Sequence, residues 1–341
     1  MELQSLHRHR HGALARDAHA DAYRHTGVSA ELPMTENLGL SRRQFLRFGC
    51  RTLLGGLLGG LSFGLYARFG EPGWLQVVKT EVAVSSLPPA LAGLTMGQLS
   101  DLHVGSAADA GLVKDAVRLL NAASPDLVVL SGDFVTGAAV HGAAAAKALA
   151  DLRAPYGVYA ILGNHDVWTD ADTVVAHLEG VGIPVLRDAR RRVTVADATL
   201  WLLGIEDRGY TGFSSPGEHS DFALFRRHWQ DAGEVLRTLL ADIPTADPRL
   251  LLVHNPDFTE MLPAARVDLA LSGHTHGGQV QIPLLGAPFV PSCFGQTFVG
   301  GLLQGTQTQV YVSRGVGTIP PAVRFNCRPE VTVVTLTRRG G

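Results

Sequence analysis

The sequence predicts an α/β domain in which several buried strands each end in a short polar segment. Apolar runs alternate with longer stretches of helical composition, and an aspartate, asparagine or histidine follows each run within a few residues. Open α/β sheets place their binding residues at the carboxyl ends of the strands. We therefore expect these polar residues to gather on one rim, although they lie far apart along the chain.

Five apolar runs are the candidate strands, and each leads into one polar segment. They are residues 94–99 before Ser100-Asp101, 127–130 before Ser131-Gly132-Asp133, 157–162 before Gly163-Asn164, 250–253 before His254, and 267–271 before Ser272-Gly273-His274. Four intervening stretches, 110–122, 143–152, 171–179 and 222–240, are predicted helices. Strands that are apolar on both faces are typical of sheets covered by other layers.

The polar segments together supply ligands for two divalent metal ions. They are Asp101-Leu102-His103, Gly132-Asp133, Gly163-Asn164-His165-Asp166, His254 and Gly273-His274-Thr275-His276. Imidazole suits Zn, Fe, Ni and Mn, while carboxylate and amide oxygens suit Mn and Mg. The absence of cysteine from the set argues against a closed structural zinc site. Two metals about 3.5–4 Å apart can hold the attacking and leaving oxygens of a phosphate ester, so the segments predict a phosphoesterase.

Taken singly, these residues have ordinary structural explanations. Asp101 could cap a helix, Asp133 and Asn164 could be turn residues, and His254 could be a buried core histidine. The five segments in this order, however, resemble the calcineurin-like metallophosphoesterase superfamily, whose pattern is D-x-H, G-D, G-N-H-[D/E], H and G-H-x-H. The resemblance spans residues 94–279. It implies an α/β sandwich of two central mixed β-sheets flanked by helices.

The same resemblance implies a ligand set and a mechanism. One metal would be held by Asp101, His103 and His276, the other by Asn164, His254 and His274, and Asp133 would bridge them. His165 would protonate or stabilise the leaving oxygen, and Asp166 would orient it by accepting a hydrogen bond, unless Asp166 simply caps the following helix. The implied reaction is an in-line attack on phosphorus by a metal-bound hydroxide.

Segments beyond the ligands resemble a bacterial branch of the superfamily that carries export signals or membrane anchors. They are Gly277-Gly278-Gln279, Val312–Gly317 and Arg328-Pro329-Glu330. Members include cell-wall-associated phosphoesterases and pyrophosphatases acting on UDP-diacylglucosamine. Arg314 could contact a phosphate through its guanidinium or only tie two loops together. Residues 204–220 are predicted to form a loop that could line the substrate groove, with Glu206 and Asp207 as ordinary loop residues.

The N-terminal region predicts export by the twin-arginine route. Ser41-Arg42-Arg43-Gln44-Phe45-Leu46 closely matches the twin-arginine consensus, and an uncharged stretch from Thr52 to Ala67 follows it. Sixteen residues suit a signal sequence better than a membrane span of about 20, yet no good cleavage site follows, so release and retention as an anchor stay open. The predicted regions are a disordered or wrongly assigned extension (1–33, with Met34 as the true start), a signal or anchor (34–70) and one metallophosphoesterase domain (71–341).

The leading hypothesis is a metal-dependent hydrolase of the periplasm or cell envelope that cleaves a phosphodiester or pyrophosphate, including lipid-linked or cell-wall substrates. Its predicted partners are the phosphate ester, the translocation machinery and a membrane surface. The alternatives are a phosphomonoesterase, including a protein phosphatase, and a non-catalytic scaffold of the same fold. A net charge of −2 provides no basic field for nucleic acid. Cys50 lies in the signal, and Cys293 and Cys327 could be bonded or free.

Overall fold

The computed structural model describes residues 41–85, 87–106, 110–208 and 222–339, and eleven strands and five α-helices lie within these ranges. The strands are β1 Gln76–Val84, β2 Thr95–Leu99, β3 Leu127–Ser131, β4 Val158–Ile161, β5 Ala189–Val195, β6 Ala198–Ile205, β7 Arg249–Val253, β8 Leu269–Ser272, β9 Gly301–Gln304, β10 Gln309–Val312 and β11 Glu330–Arg338. The helices are α1 Arg42–Leu65, α2 Ala110–Ala122, α3 His141–Leu149, α4 Asn164–Gly180 and α5 Phe222–Leu240.

The strands form two mixed sheets, as the resemblance implied. The first has the order β1-β11-β2-β3-β4 and the second β5-β6-β7-β8-β10-β9. In the first sheet β2, β3 and β4 are parallel, and in the second β6, β7, β8 and β10 are parallel. The five predicted apolar runs are confirmed as β2, β3, β4, β7 and β8. All strands belong to the compact unit formed by residues 55–341.

Three apolar cores separate four layers. Within β3, Leu127 and Val129 pack between the sheets, while Val128 and Leu130 face the layer of α2, α3 and α4. Strand β7 does the same for the second sheet, with its alternate residues packing against α5. Side chains of a strand alternate between its two faces, so a strand in the middle of a sandwich must be apolar throughout. This burial explains the continuous apolar runs of the sequence.

The predicted helices are confirmed, with a difference at α4. Helices α2 and α5 have the predicted bounds, whereas α3 begins two residues before its predicted start and ends three residues before its predicted end. Helix α4 begins at Asn164 rather than 171 and is interrupted at Asp170, whose φ of −179° and ψ of 93° are not helical. The Asp170 carboxylate accepts hydrogen bonds from the backbone N–H and hydroxyl of Thr173. Asp170 is therefore the N-cap of the predicted segment, and a short helical turn that carries Asn164 and His165 precedes it.

The apolar N-terminal stretch is part of a longer helical segment than its composition predicted. Residues Arg42–Gly73 run as one 32-residue helical segment, long and apolar enough to cross a membrane, a test that an export signal also passes. The flanking Arg42, Arg47 and Arg68 are helical too, which is why the uncharged core of 16 residues underestimates the length. The predicted extension 1–33 and the predicted start Met34 lie outside the described residues.

Candidate metal centre

The ends of strands from both sheets meet at one rim, as the sequence predicted. The Asp101 N–H donates to the Gly132 carbonyl at 2.9 Å, which joins the segments after β2 and β3. The Gly273 N–H donates to the His254 carbonyl at 3.0 Å, joining those after β8 and β7. The His274 N–H donates to Asp101 Oδ1 at 2.9 Å, which links the two sheets. The predicted convergence is thus confirmed.

Asp101, His103 and His276 form the first group of ligand atoms. His103 Nε2 lies 2.9 Å from His276 Nε2, and His276 Nε2 lies 3.3 Å from Asp101 Oδ1. All three side chains are buried. These are the three residues that the resemblance assigned to one metal.

Asp133 connects this group to the second one. Its Oδ2 lies 3.5 Å from His103 Nε2 on one side and 3.1 Å from His254 Nε2 on the other. Beyond His254, His274 Nδ1 lies 2.9 Å from Asn164 Oδ1. A carboxylate oxygen between two groups of ligands is in the position that a bridging role requires. The exact assignment of each residue to a metal stays a prediction.

Two of the predicted ligand imidazoles are oriented by contacts of their Nδ1 atoms. His254 Nδ1 donates to the Ser131 carbonyl at 2.7 Å, and His103 Nδ1 lies 2.7 Å from the Thr136 hydroxyl. Such contacts fix the ring and the tautomer, so that Nε2 faces the site. Thr136 carried no signal in the sequence, because it follows Asp133 as an ordinary loop residue.

Burial and neighbouring charges shift the pKa values of the predicted ligands. Burial lowers the pKa of His103 and of His274 to about 3, so both rings are neutral and keep a lone pair at neutral pH. Burial would also lower the pKa of His254, but the charge and hydrogen bond of Asp133 outweigh it and raise that pKa to about 10. Burial likewise works against ionisation of Asp133, yet His254 holds the Asp133 pKa well below its usual value. His254 must therefore lose a proton before Nε2 can bind a metal.

The backbone beneath the ligands is strained. Asp101, His103, Asp133, His274 and His276 have φ values of 52°, 48°, 57°, 72° and 53°. Non-glycine residues rarely adopt this left-handed region, and each such residue costs on the order of 1 kcal/mol or more. Five of the seven predicted ligands share it. The surrounding bonds hold these residues where their side chains converge, rather than where the backbone would relax.

Glycines beside the ligands leave room for them. A Cβ on Gly163 would lie 2.2 Å from Asp133 Oδ1, and a Cβ on Gly273 would lie 2.2 Å from Asp101 Oδ2 and 1.9 Å from Ser100 Oγ. These distances are too short for any side chain, so only glycine fits at the two positions.

These observations agree with a site for two divalent cations. Buried carboxylate oxygens and imidazole nitrogens lie within 4.8 Å of one another in the triads Asp101-His103-His276 and Asp101-Asp133-His254. Burying two carboxylates together is costly unless cations balance them. The donors are N and O atoms without sulfur, which suits Mn, Fe, Zn, Ni or Mg. The residues present therefore fit the dinuclear centre.

His165 lies beside the centre and is less buried than the ligands. Its backbone N–H donates to Asp133 Oδ1 at 2.9 Å. Its ring lies edge-on to His103, with 4.7 Å between centroids, and 4.8 Å from the ring of Trp168. Trp168 is 51% exposed and was not predicted as a site residue. This position is compatible with the predicted contact between His165 and a substrate bound at the centre.

The contacts of Asp166 match the capping role, one of the two that the sequence left open for this residue. Its Oδ2 accepts the N–H groups of Asp133 and Gly163, and its Oδ1 accepts those of Phe134 and Val135, at 2.8–3.1 Å. Both oxygens of this buried carboxylate are therefore occupied by the backbone. Asp166 fixes the turn that carries Asp133 and caps the first turn of α4, while its orientation of His165 stays a prediction.

The contacts of Arg314 support the structural role that the sequence left open beside a phosphate contact. Its Nε donates to Glu330 Oε2 at 2.6 Å, and a second nitrogen donates to Gln76 Oε1, so the side chain ties two segments together. A different arginine lies at the centre. Arg324 is fully buried and donates to the carbonyls of Arg314, Gly315, Gly317 and Cys327. It braces the loop that packs on Asp101, since Gly317 N–H donates to the Asp101 carbonyl at 2.7 Å.

Asp207 differs from the loop residue that the sequence suggested. Its side chain is 1% exposed, and its negative charge contributes to the raised pKa of His254. Glu206 instead forms a salt bridge with Arg187 at 2.6 Å. Most of the predicted loop, including Tyr210 and Phe213, lies outside the described residues. Cys293 and Cys327 are both free thiols, which decides the alternative that the sequence left open.

Comparison with known proteins agrees with this geometry. Residues 94–278 match the family model of the calcineurin-like phosphoesterases. The chain is 32% identical over 302 residues to the uncharacterized metallophosphoesterase YkuE of Bacillus subtilis, covering 87% of this chain and 98% of that protein. It is 31% identical to the phosphodiesterase YaeI of Escherichia coli, covering 87% and 99%. A transmembrane protein with a metallophosphoesterase domain from Danio rerio is 31% identical, covering 76% and 57%.

The family uses a dinuclear divalent metal centre, and the ligand atoms described above provide one set of candidates for it. The chain therefore belongs to the calcineurin-like phosphoesterase family and is a metal-dependent hydrolase of phosphate esters.

Proposed function

We propose that this protein cleaves a phosphodiester or pyrophosphate bond in a molecule of the cell envelope, including lipid-linked and cell-wall substrates. The observation that carries the proposal is the complete set of seven ligand side chains converging beside His165. A scaffold with a decayed site would lack some of these groups. The relative YaeI is named a phosphodiesterase and aligns over 87% of this chain, which supports a diester over a monoester.

We propose a separate role in hydrolysis for each group of residues at the site. When bound, the two cations would supply Lewis-acid stabilisation of phosphate oxygens and lower the pKa of water. Asp101, His103 and His276 would hold one cation, Asn164, His254 and His274 the other, with Asp133 between them. His165 lies at the less buried side, where its imidazole can give a proton to the leaving oxygen. Trp168 beside it offers a ring face against which part of a substrate can pack.

The N-terminal region supports an envelope location. The twin-arginine motif lies at the start of α1, and the helical segment Arg42–Gly73 is long and apolar enough to span a membrane. We propose export through the twin-arginine machinery in a folded, metal-loaded state. We propose that the helix then keeps the catalytic domain at the outer face of the cytoplasmic membrane. A relative from Danio rerio that is named as a transmembrane protein agrees with this placement.

Metal dependence and substrate class can be tested together. Full-length protein is stripped of metal, reloaded separately with Mn, Zn, Fe, Ni or Mg, and offered bis-p-nitrophenyl phosphate and p-nitrophenyl phosphate. We expect metal-dependent turnover with a higher kcat/KM for the diester, abolished by Asp133→Asn but not by Asp115→Asn on exposed α2. A preference for the monoester would favour the phosphatase alternative. Two bound metals without turnover of either ester would favour the scaffold.

A further inference from the structure

A second cavity shares a wall with the metal centre. It encloses about 380 Å³, and its lining is apolar apart from a few groups. His276, a predicted metal ligand, forms part of one wall, and Val280, Phe289, Pro291, Ile319 and Val323 are among the apolar residues of the rest. The volume of the cavity lies within the range of small-molecule pockets. The cavity and the metal centre therefore share the residue His276.

An exposed apolar turn lies between Val280 and Phe289, two residues that line the cavity. Ile282 and Gly286 form a short bridge, and the turn between them carries Leu284 and Leu285. Leu284 is fully exposed and Leu285 is 73% exposed, while Phe289 lines the cavity and is itself 55% exposed. Single exposed apolar residues are common, but several large ones on one turn mark a surface that contacts apolar material.

The same wall is attached to the end of the apolar helical segment. The Arg324 N–H donates to the Ala67 carbonyl at 2.9 Å, and the rings of Phe63 and Phe325 lie 4.5 Å apart. Phe325 in turn forms a bridge with Val280, and the Gln281 N–H donates to the Phe325 carbonyl. These four contacts connect the end of the candidate membrane helix to the cavity wall. An apolar turn, an apolar cavity and the helix end are neighbours.

We infer that the cavity lined by Val280, Phe289 and Val323 binds the hydrocarbon chain of a lipid phosphodiester while its phosphate lies at the metal centre. This inference rests on the proposed hydrolase function. The exposed Leu284 and Leu285 contact the bilayer surface next to the cavity wall formed by Val280 and Phe289, so the chain of a membrane lipid reaches the cavity from the bilayer. Each methylene that is buried strengthens binding, so the length of the chain reports directly on the cavity.

The test compares p-nitrophenyl methyl phosphate with p-nitrophenyl octyl phosphate, which share one reaction and one leaving group. Full-length, metal-loaded protein is held in an amphipathic polymer, so that no free detergent or lipid competes. We expect kcat/KM for the octyl ester to exceed that for the methyl ester by at least about tenfold. We expect Val323→Trp, which fills the cavity, to lower kcat/KM for the octyl ester and so to reduce the ratio to within about twofold.

Two further variants make the result specific. Phe289→Asp places a charge in the exposed part of the wall and has the same expected effect, so the test survives if Val323→Trp does not fold. Val140→Trp, at a position 74% exposed on the surface, keeps the wild-type ratio. Equal rates for the two esters in the wild type, or a ratio that persists in both cavity variants, would overturn the inference.

Failure of the proposed function is distinguishable from failure of this inference. If the methyl ester is not hydrolysed at all, calorimetry of full-length, metal-loaded protein with dimethyl phosphate and methyl octyl phosphate replaces the kinetics. Tighter binding of the octyl ester that Val323→Trp removes supports the cavity even without turnover. Equal binding of both esters contradicts it.

Discussion

At the scale of single residues, the predicted metal ligands are already placed for binding a cation. Most of the imidazoles are neutral, and hydrogen bonds hold the backbone in its strained conformation. His103, His274 and His276 are held neutral by burial, which lowers the pKa of each. Asp101 is strained at its own φ and yet bonded to Gly132, His274 and Gly317. Ligands placed in this way lose little conformational freedom when a cation binds, and this favours tight binding.

His165→Ala tests the proton-donor role through the leaving group. We expect hydrolysis of an alkyl diester such as methyl ethyl phosphate to fall by about 10²–10⁴-fold, since an alkoxide leaves poorly without a proton. Hydrolysis of p-nitrophenyl methyl phosphate should fall far less, because p-nitrophenolate leaves unaided. Phosphorus NMR follows the first reaction and absorbance the second. His177→Ala on the same helix is the control, and equal losses for both esters would contradict the role.

Asp166→Asn tests whether Asp166 holds the backbone turn or orients His165 for catalysis. An amide nitrogen cannot accept the N–H groups that one carboxylate oxygen now accepts, so two buried N–H groups lose their partner at a cost of about 1–3 kcal/mol each. We expect a thermal midpoint lower by several degrees and a loss of bound metal, whereas His165→Ala leaves the midpoint unchanged. A stable, metal-replete Asp166→Asn protein with a shifted pH profile would restore the predicted orientation of His165.

The role of a residue could be predicted from the sequence when a short motif around that residue indicates it. The seven ligands lie in short segments whose order alone identifies the family. Asp166 and Arg314 lie in the same kind of segment, but their partners come from elsewhere in the fold, such as Phe134 and Glu330. Arg324 lies between ordinary residues, and only its burial against four carbonyls shows its importance. No pattern in the sequence could have found it.

At the scale of elements, strand ends and glycine turns position the ligands. Helices α2 and α5 were predicted to the residue because their apolar faces repeat at helical spacing over several turns. The start of α4 was missed because a six-residue turn ending at Asp170 is too short for periodicity to show. The carboxyl ends of β3 and β4 could be placed from their apolar runs, but the pairing of β11 between β1 and β2 joins distant parts of the chain and has no local signal.

Gly273→Ala tests whether the turn after β8 must approach the centre closely. The new methyl group would lie 1.9 Å from Ser100 Oγ and 2.2 Å from Asp101 Oδ2, so Asp101 must move. We expect loss of one of the two metals, measured by elemental analysis, and at least a hundredfold lower kcat/KM, as about 1 Å of misplacement can cause. Gly180→Ala has open space around it and should keep both metals. Full metal content in Gly273→Ala would contradict the argument.

Asp257 predicts a pH dependence of stability away from the ligands. It lies in the short helical turn Pro256–Met261 and accepts bonds from the Ser292 hydroxyl and the Cys293 N–H. Burial raises its pKa from 3.8 to about 6, so the folded state holds this proton more tightly than the unfolded state. Its contribution to stability is therefore full below about pH 4 and is lost as the pH rises to about 6, by up to about 3 kcal/mol.

Asp257→Asn isolates this contribution, since an amide can accept from Cys293 and donate to Ser292. We expect its thermal midpoint, relative to wild type, to rise between pH 4 and pH 7. Comparing the two proteins at each pH removes the effect of every other titrating group. A difference that stays constant across this range would show that Asp257 has an ordinary pKa.

At the scale of the whole molecule, the catalytic unit could be predicted from the sequence and its attachment could not. The alternation of strands and helices and the family segments predict the sandwich of residues 71–341. From composition, only the uncharged core of the N-terminal stretch could be recognised. The structure shows that this core is part of a helical segment of 32 residues. Length alone does not distinguish a cleaved signal from a permanent anchor, because both pass through the same apolar medium.

The export proposal is tested by the pair Arg42→Lys and Arg43→Lys, introduced together. Both changes keep the positive charge and the helix, so only the guanidinium groups of the consensus are lost. We expect folded, active protein to accumulate in the cytoplasm, whereas Arg47→Lys, further along the same helix, is exported normally. Fractionation with an activity assay measures the distribution, and alkaline carbonate extraction of the exported wild type then shows whether it stays in the membrane. A double variant that is exported as efficiently as wild type would rule out the twin-arginine route, and extraction of the wild type into the soluble fraction would rule out the anchor while leaving the route intact.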